Sequence, residues 1–426
     1  MITPVEDLLI SGTTPCKRCL HLGACLAIHG VENVVPVIDD RSPGIGAASA
    51  DRDAVPLRFE WTAAKSGRGM VVATTFERTA AQNRIVARLG RSEPVRWDPA
   101  CLAELADENR GLSEGENRRT GAGSLRYAPA CGEGFHAAVR SVVEAFASGG
   151  DREDHVNVLP GLVSPADVSF LKQVFADFGL AATVLPDGSQ TLADPDWRRG
   201  GAMLPGGTPL SAVRGMGRAR ATVDLGAPRA PEFSSAEWLE SRFGVPRRPA
   251  VLPIGATLSD AFFELLEKLA GRPTPDHYQR ERERLLDFIV AGYDRLLDNR
   301  VILYGEQDLV VGLAGLLVDA GMLPVLVASP DRTGRLRESL AAIEPEWAGH
   351  AAVLEGVDIA DLEYHALRLK PDLLVANGRG SGLASRLGVP LVRAGFPLYD
   401  QPGGPRILHL GYAGALGILE RIAKAR

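Results

Sequence analysis

From residue 150 onward, short apolar runs alternate with amphipathic stretches, and this alternation restricts the fold more than any other feature of the chain. VNVLPG (156–161), AATVLP (181–186), ATVDL (221–225) and PAVLPI (249–254) read as strands in a first series. RVILYG (300–305), PVLVAS (324–329), HAAVLEG (350–356), DLLVANG (372–378) and PLVRAGF (390–396) read as strands in a second. Strands that are apolar on both faces, with helices between them, belong to parallel sheets covered on both sides. Residues 164–178 predict one such helix: Ser164 stands at the cap, Pro165 at the first position, and Val168, Leu171, Val174, Phe175 and Phe178 share a face. A second helix is expected over 308–321. The pattern predicts two doubly wound units, roughly 151–255 and 300–400, joined by a long helical segment over 258–298 that buries Leu285, Phe288, Ile289 and Leu296.

The first 150 residues are less regular. LGACLAIHG (22–30) predicts a helix ended by Gly30, and GMVVATT (69–75) a strand. Residues 39–68 and 107–124, rich in Gly, Arg, Asp and Ser, are expected to be loops. A chain of 426 residues is long for a single core, so two or three domains are expected.

Charge narrows the function. A net charge of -6 leaves no excess of cations for a phosphate backbone, so no nucleic-acid partner is expected. The basic group at 280–284 is interleaved with Glu281 and Glu283 and reads as a solvated helix face. No run approaches the roughly eighteen apolar residues of a membrane span, and the first residues carry no basic leader. A cytoplasmic protein without a membrane partner is expected.

Three of the five cysteines fall in CKRCLHLGAC, residues 16–25, while Cys101 and Cys131 stand apart. Reducing cytoplasm disfavours a disulfide. Structural zinc wants two separated ligand pairs, and only Cys16 and Cys19 form one. In a helix over 20–29, Cys25 points away from Cys19, because six residues turn a helix by about 240°; it reads as a small apolar core residue. Cys19 stands just before the helix, where the dipole favours a thiolate, and that suits an iron–sulfur ligand. Cys16 reads as an auxiliary ligand or an exposed thiol. A cluster usually needs four thiolates, so further ligands would come from a partner subunit.

Other motifs are absent or weak. There is no P-loop, no HExxH and no GxSxG. Gly378, Gly380 and Gly382 lack the spacing of a dinucleotide fingerprint and read as a tight strand-to-helix turn. His409, before the Gly-rich turn into the last helix, is the histidine that stands out, although packing alone would explain it.

VNVLPGLVSPADVSFLKQVFADFGL, LPDGSQTLADP, GGTPLSAVRGMG, RLGVPLVRAGFPLYDQPGG and LGYAGALGILERIA follow one another in a spacing that resembles the nitrogenase component 1 family, most of all its beta-type branch. The resemblance covers about 155–426, and 19–36 more weakly. It implies three Rossmann-like α/β/α domains with mainly parallel sheets: a shortened N-terminal domain (1–150), a second domain with long connecting helices (151–298), a third (299–400), and a C-terminal helix (401–426) packing back. It further implies an α2β2 assembly with an alpha-type partner holding the active-site metallocluster, served by a separate ATP-dependent iron–sulfur reductase. An iron–sulfur cluster shared with that partner, [4Fe-4S] or P-cluster-like, is expected, with Cys19 matching the first family cysteine. The second family cysteine has no counterpart in IDDRSPGIG (38–46), and Phe76 stands in place of the third. Cys16, Cys25, Cys101 or Cys131 would substitute for them, or a smaller cluster, bound mostly by the partner, would take Cys19 as one ligand. Three functions follow from the resemblance: a reductase subunit that is not catalytic alone, a scaffold subunit for cofactor assembly, or a metal-free structural partner.

Overall fold

The computed structural model describes residues 131–193 and 206–425 apart from 397 and 399–402, together with 23, 24, 26–28, 30–32, 34–37, 60–63 and 71–74. Three sheets organise these residues. The first joins β1 (Val34–Val37), β2 (Glu60–Ala63) and β3 (Val71–Thr74) in the order β1-β3-β2, with β1 parallel and β2 antiparallel to β3. Strand β2 corrects the expectation of a loop over 39–68. A four-residue edge strand makes only one ladder, so composition alone does not reveal it.

The second sheet contains β4 (Glu153–Leu159), β5 (Ala182–Val184), β6 (Ala219–Leu225) and β7 (Arg247–Ala250), ordered β5-β4-β6-β7 and parallel throughout. The third contains β8 (Arg300–Tyr304), β9 (Leu323–Ser329), β10 (Ala352–Glu355), β11 (Leu373–Ala376) and β12 (Leu391–Arg393), ordered β10-β9-β8-β11-β12 and also parallel. The mainly parallel α/β class expected from the apolar runs is thus observed. Each central strand is apolar because both faces are buried: Val156, Val158, Val223, Ile302, Leu303, Leu326 and Leu374 have no exposed surface.

Helices cover these sheets. Helix α1 (Cys131–Phe146) packs Phe135, Ala138, Val139, Val142 and Val143 into a core with Leu159, Val213 and Met216. Helix α2 (Pro165–Asp177) begins at a capping box in which Ser164 accepts from the Asp167 amide and Asp167 accepts from the Ser164 amide. The expected long segment over 258–298 is not continuous. It is broken into α3 (Ala256–Ala270), α4 (Asp276–Ala291) and the short α5 (Tyr293–Leu296). Gly271, in a left-handed conformation, closes α3, and Pro273 and Pro275 cannot continue it. Leu285 and Leu296 are buried as expected, with Phe288 and Ile289 partly buried against the same core. Helix α6 (Gln307–Asp319) follows β8, and α7 (Leu336–Ile343) follows β9. The strand β11 turns through a 3-10 segment at 378–380 into α8 (Ser381–Leu387), which is the tight turn expected there. The last helix, α9 (Gly411–Ala425), lies across α3 and α4 and buries Tyr412, Ala415, Ile418, Leu419 and Ile422.

Residues 23, 24 and 26–28 are helical, and Gly30 forms the turn after them. This short helix sits directly on the first turn of α1. A Cβ at Gly23 would lie 1.9 Å from the Cys131 carbonyl oxygen and 2.7 Å from the Phe135 amide nitrogen. Both are backbone atoms, so neither helix can yield without moving whole. Gly23→Ala is therefore expected to lower stability by about 1–3 kcal/mol, the range for overpacking, and urea denaturation of the full chain measures it.

Candidate functional site

In an open parallel sheet, ligands bind beyond the carboxyl ends of the strands, where the strand order reverses. In the second sheet that point lies between β4 and β6, at Gly161 and Gly226. In the third it lies between β8 and β11, at residues 305–308 and 377–380. The two points meet through Asp308, in the first turn of α6. Its Oδ1 accepts the Ala227 amide hydrogen at 2.7 Å. A Cβ at Gly226 would come within 2.5 Å of this carboxylate, and one at Gly161 within 3.0 Å. Both positions have positive φ, at 119° and 72°. Glycine is required there for conformation and for space.

Arg229 fills the remaining gap. Its Nη1 donates to Asp224 Oδ1 at 2.9 Å, and its Nη2 to Asp308 Oδ2 at 3.2 Å and to the Leu225 carbonyl at 3.2 Å. On the far side, Arg247 donates to Asp224 Oδ2 at 2.9 Å and to Glu237 at 2.7 Å. His136 of α1 completes the group, with Nε2 3.3 Å from Asp308 Oδ2. Burial drives the Asp308 carboxyl upward, but Arg229 and the bonds from His136 and Ala227 outweigh it and hold it below the ordinary carboxylate range. Burial and the Arg229 charge both push the His136 imidazole down, against the pull of Asp308, so the ring is neutral at pH 7. The crevice is thus closed by an internal ion network rather than left open for a ligand.

A second polar group lies beside it. Asp331, after β9, accepts the Gln307 amide hydrogen on Oδ2 at 2.8 Å. Glu133 of α1 accepts the Arg332 amide hydrogen at 3.1 Å. Arg379 donates to Asp358 at 3.0 Å, and Asn377 accepts the Arg379 amide hydrogen at 3.1 Å. Helix N-termini at such an edge attract anions. Here the chain's own Asp331 carboxyl already accepts the first amide of α6, and an external phosphate would have to displace it.

Cys16, Cys19 and Cys25, the ligands expected from the sequence, lie outside the described residues, as does Cys101. Cys131 opens α1 and is buried. Among the described residues no group of three or more His, Cys, Asp or Glu side chains is placed to hold a metal ion, and no helix is long and apolar enough to cross a membrane. His409 is buried against Asp167, with its Nδ1 2.8 Å from Asp167 Oδ2. It holds structure together, beside a small cavity that Leu162 and Leu309, next in sequence to Gly161 and Asp308, also line. The crevice residues themselves, His136, Asp224, Arg229 and Asp308, were not expected from motifs. One signal was available: an aspartate inside the apolar run ATVDL, followed at once by glycine, since a charge at the carboxyl end of a buried strand needs a partner.

The family model for nitrogenase component 1 type oxidoreductases matches residues 126–426. The nitrogenase molybdenum-iron protein beta chain of Clostridium pasteurianum is 26% identical over 430 residues, covering 96% of this chain and 92% of its own length. The nitrogenase iron-iron protein beta chain of Rhodobacter capsulatus is 30% identical over 295 residues, covering 68% of this chain and 63% of its own. The nitrogenase iron-molybdenum cofactor biosynthesis protein NifN of Bradyrhizobium diazoefficiens is 32% identical over 297 residues, covering 68% and 61%. The matched stretch is thus less than two thirds of the length of the last two relatives. A solved structure, nitrogenase Cp1 at pH 6.5, superposes with a TM-score of 0.70 at 20% identity, covering 100% of this chain and 94% of that one, and has the same fold.

Proposed function

Since the chain belongs to the nitrogenase component 1 type oxidoreductase family, we propose that it is a beta-type subunit of a nitrogenase-like reductase complex, working with an alpha-type partner that carries the active-site metallocluster. The observation that carries this reading is the similarity to a nitrogenase molybdenum-iron protein beta chain along 96% of this chain, and the closed crevice accords with it. At the place where an open α/β fold holds its ligand, Arg229 bridges Asp224 and Asp308 and leaves no converging set of metal-binding side chains among the described residues. The curated relatives with beta-chain names point the same way.

On this reading Cys19, with Cys16 or Cys25 beside it, would furnish this chain's thiolates to an iron–sulfur cluster shared with the partner. When bound, such a cluster supplies low-potential one-electron transfer. Gly23 seats the helix that follows the cysteine segment on α1. An ATP-dependent iron–sulfur reductase would deliver electrons to the complex, and the protein would act in the cytoplasm. A second reading, a scaffold subunit for cofactor assembly, is favoured by the similarity to the NifN chain.

Anaerobic purification of the complex with its alpha-type partner, followed by iron analysis, tests the proposal. Iron beyond the partner's own content is expected, and Cys19→Ala is expected to remove most of that excess and its electron paramagnetic resonance signal. Unchanged iron and spectra would reject Cys19 as a ligand, and no excess iron in the unaltered complex would leave a metal-free structural subunit. Multiple turnovers with an ATP-driven donor are expected of a reductase, whereas a scaffold would release its cargo once.

A further inference from the structure

We propose that the junction between the first turn of α1 and the loops after β8 and β9 is a proton-controlled latch, closed while Asp331 is neutral and loosened when Asp331 ionises. Geometry places Asp331 at the contact. Its carboxyl lies against Gly132, where a Cβ would be 3.0 Å from Oδ1 and 3.1 Å from Oδ2. Oδ2 is tied to the Gln307 amide, but Oδ1 is buried without a hydrogen-bond partner, and so is Nε2 of Gln307. Asp331 and Gln307 are only 5% and 3% exposed. A buried ionised oxygen with no donor is far more costly than a buried neutral one.

The surroundings give Asp331 little cationic support. From α1 come Glu133 and His136, the latter turned toward Asp308. From the loop after β8 comes Glu306, and from the first turn of α6 comes Asp308, which is committed to Arg229. From the loop after β9 comes Arg332, whose side chain lies over Gly356 and whose amide serves Glu133. Arg379 pairs with Asp358. Tyr304 donates its hydroxyl to the Val357 carbonyl. No three of the acidic groups converge as a metal site, so a proton is the counter-ion that removes the charge. Burial raises the Asp331 carboxyl well above its ordinary value, Glu306 raises it further, and Glu133 and Asp308 add to this against the bond from Gln307. Burial also raises Glu306 and Glu133.

The sign follows from linkage. A carboxyl raised in the closed state keeps a proton that it would release once exposed to water. Closure is therefore fully favoured below the ordinary aspartate value and weakens as pH rises, until the raised value is passed. Within that window, the open population grows by up to about tenfold per pH unit.

Hydrogen exchange of the full chain, followed by mass spectrometry from pH 5 to 9, tests the latch. Peptides covering 131–146 and 331–335 are expected to lose protection with pH, by up to about tenfold per unit beyond the intrinsic rate. In Asp331→Asn the side chain stays neutral and its oxygen can still accept the Gln307 amide, so protection is expected to be flat. Parallel pH profiles in the two proteins, or a flat profile in the unaltered chain, would overturn the proposal. Should Asp331→Asn fail to fold, Glu306→Gln serves instead. It removes the Glu306 charge, so Asp331 should finish ionising at lower pH and the window should narrow from its upper end; an unmoved window would count against the latch.

Discussion

Replacing Arg229 by alanine is expected to destabilise the chain by about 3–5 kcal/mol, the cost of leaving a buried charge without its partner. Arg229 is only 8% exposed and joins Asp224 to Asp308. Burial works against its charge, but the two carboxylates outweigh that penalty and raise its proton affinity. The variant would leave Asp308 buried between Gly161 and Gly226, with only the Ala227 amide and a neutral His136 as donors. Urea denaturation of the full chain measures the loss. A triple variant, Arg229→Met with Asp224→Asn and Asp308→Asn, removes the charges together and is expected to recover much of it. Failure of the triple variant to recover stability would assign the loss to packing of the Arg229 stem. The pH profile supplies a second reading. The depressed Asp308 carboxyl contributes stability above the ordinary aspartate value, and that contribution disappears as pH falls through its folded value. Without Arg229, the acid limb of the profile should begin at higher pH.

A parallel sheet ends in helix N-termini, and these invite anions. In this chain Asp308 supplies that negative charge internally and Arg229 neutralises it, while the Asp331 carboxyl accepts the first amide of α6. Two sheets are thereby joined at the points where each would otherwise be open.

The parallel strands were legible because burial on both faces leaves few ways to write them: ILY, VLVA and LLVA admit hardly a polar residue. Helix α2 was legible from Ser164, Pro165 and the apolar face that starts at Val168, although Asp167 completes the capping box in place of the usual glutamate. The break after α3 was written in Gly271, Pro273 and Pro275, and continuous apolar spacing on either side hides it. Helix α1 has the period, in Phe135, Ala138, Val139, Val142 and Val143, but the Gly- and Arg-rich stretch before it offers no cap. The site was illegible for another reason. Arg229 and Asp308 are 79 residues apart, and their pairing depends on how two sheets face each other. Local pattern carries no information about that. Cys19 could be singled out only by its place before a helix and by resemblance, and it lies outside the described residues.

Asp167→Ala is the other change expected to cost about 3–5 kcal/mol, and it acts at another seam. Asp167 Oδ1 accepts the amide hydrogens of His409 at 2.7 Å and Leu410 at 3.1 Å. Its Oδ2 accepts the Ser164 amide hydrogen at 3.0 Å and lies 2.8 Å from His409 Nδ1. The Gly395 amide donates to His409 Nε2 at 3.1 Å, which leaves the ring proton on Nδ1, facing the carboxylate. One side chain therefore ties the start of α2 to the segment leading into α9 and, through the imidazole, to the end of β12. Alanine would strand four buried donors at once, each of which has given up its water. Asparagine keeps one acceptor oxygen and is expected to lose about half as much, because its amide group meets a donor where an oxygen stood. Burial lifts the Asp167 carboxyl, yet His409 and the amides of His409 and Leu410 outweigh this and hold it low. Its contribution is thus present above the ordinary aspartate value and is lost as pH falls through the folded one. The alanine variant should unfold in urea with a stability that no longer depends on this proton, and faster proteolysis within 407–410 should accompany it, because Asp167 ties down that segment, whereas α9 itself is also held by the Pro253 carbonyl, by the Tyr412–Asp260 hydrogen bond and by apolar contact with α3 and α4.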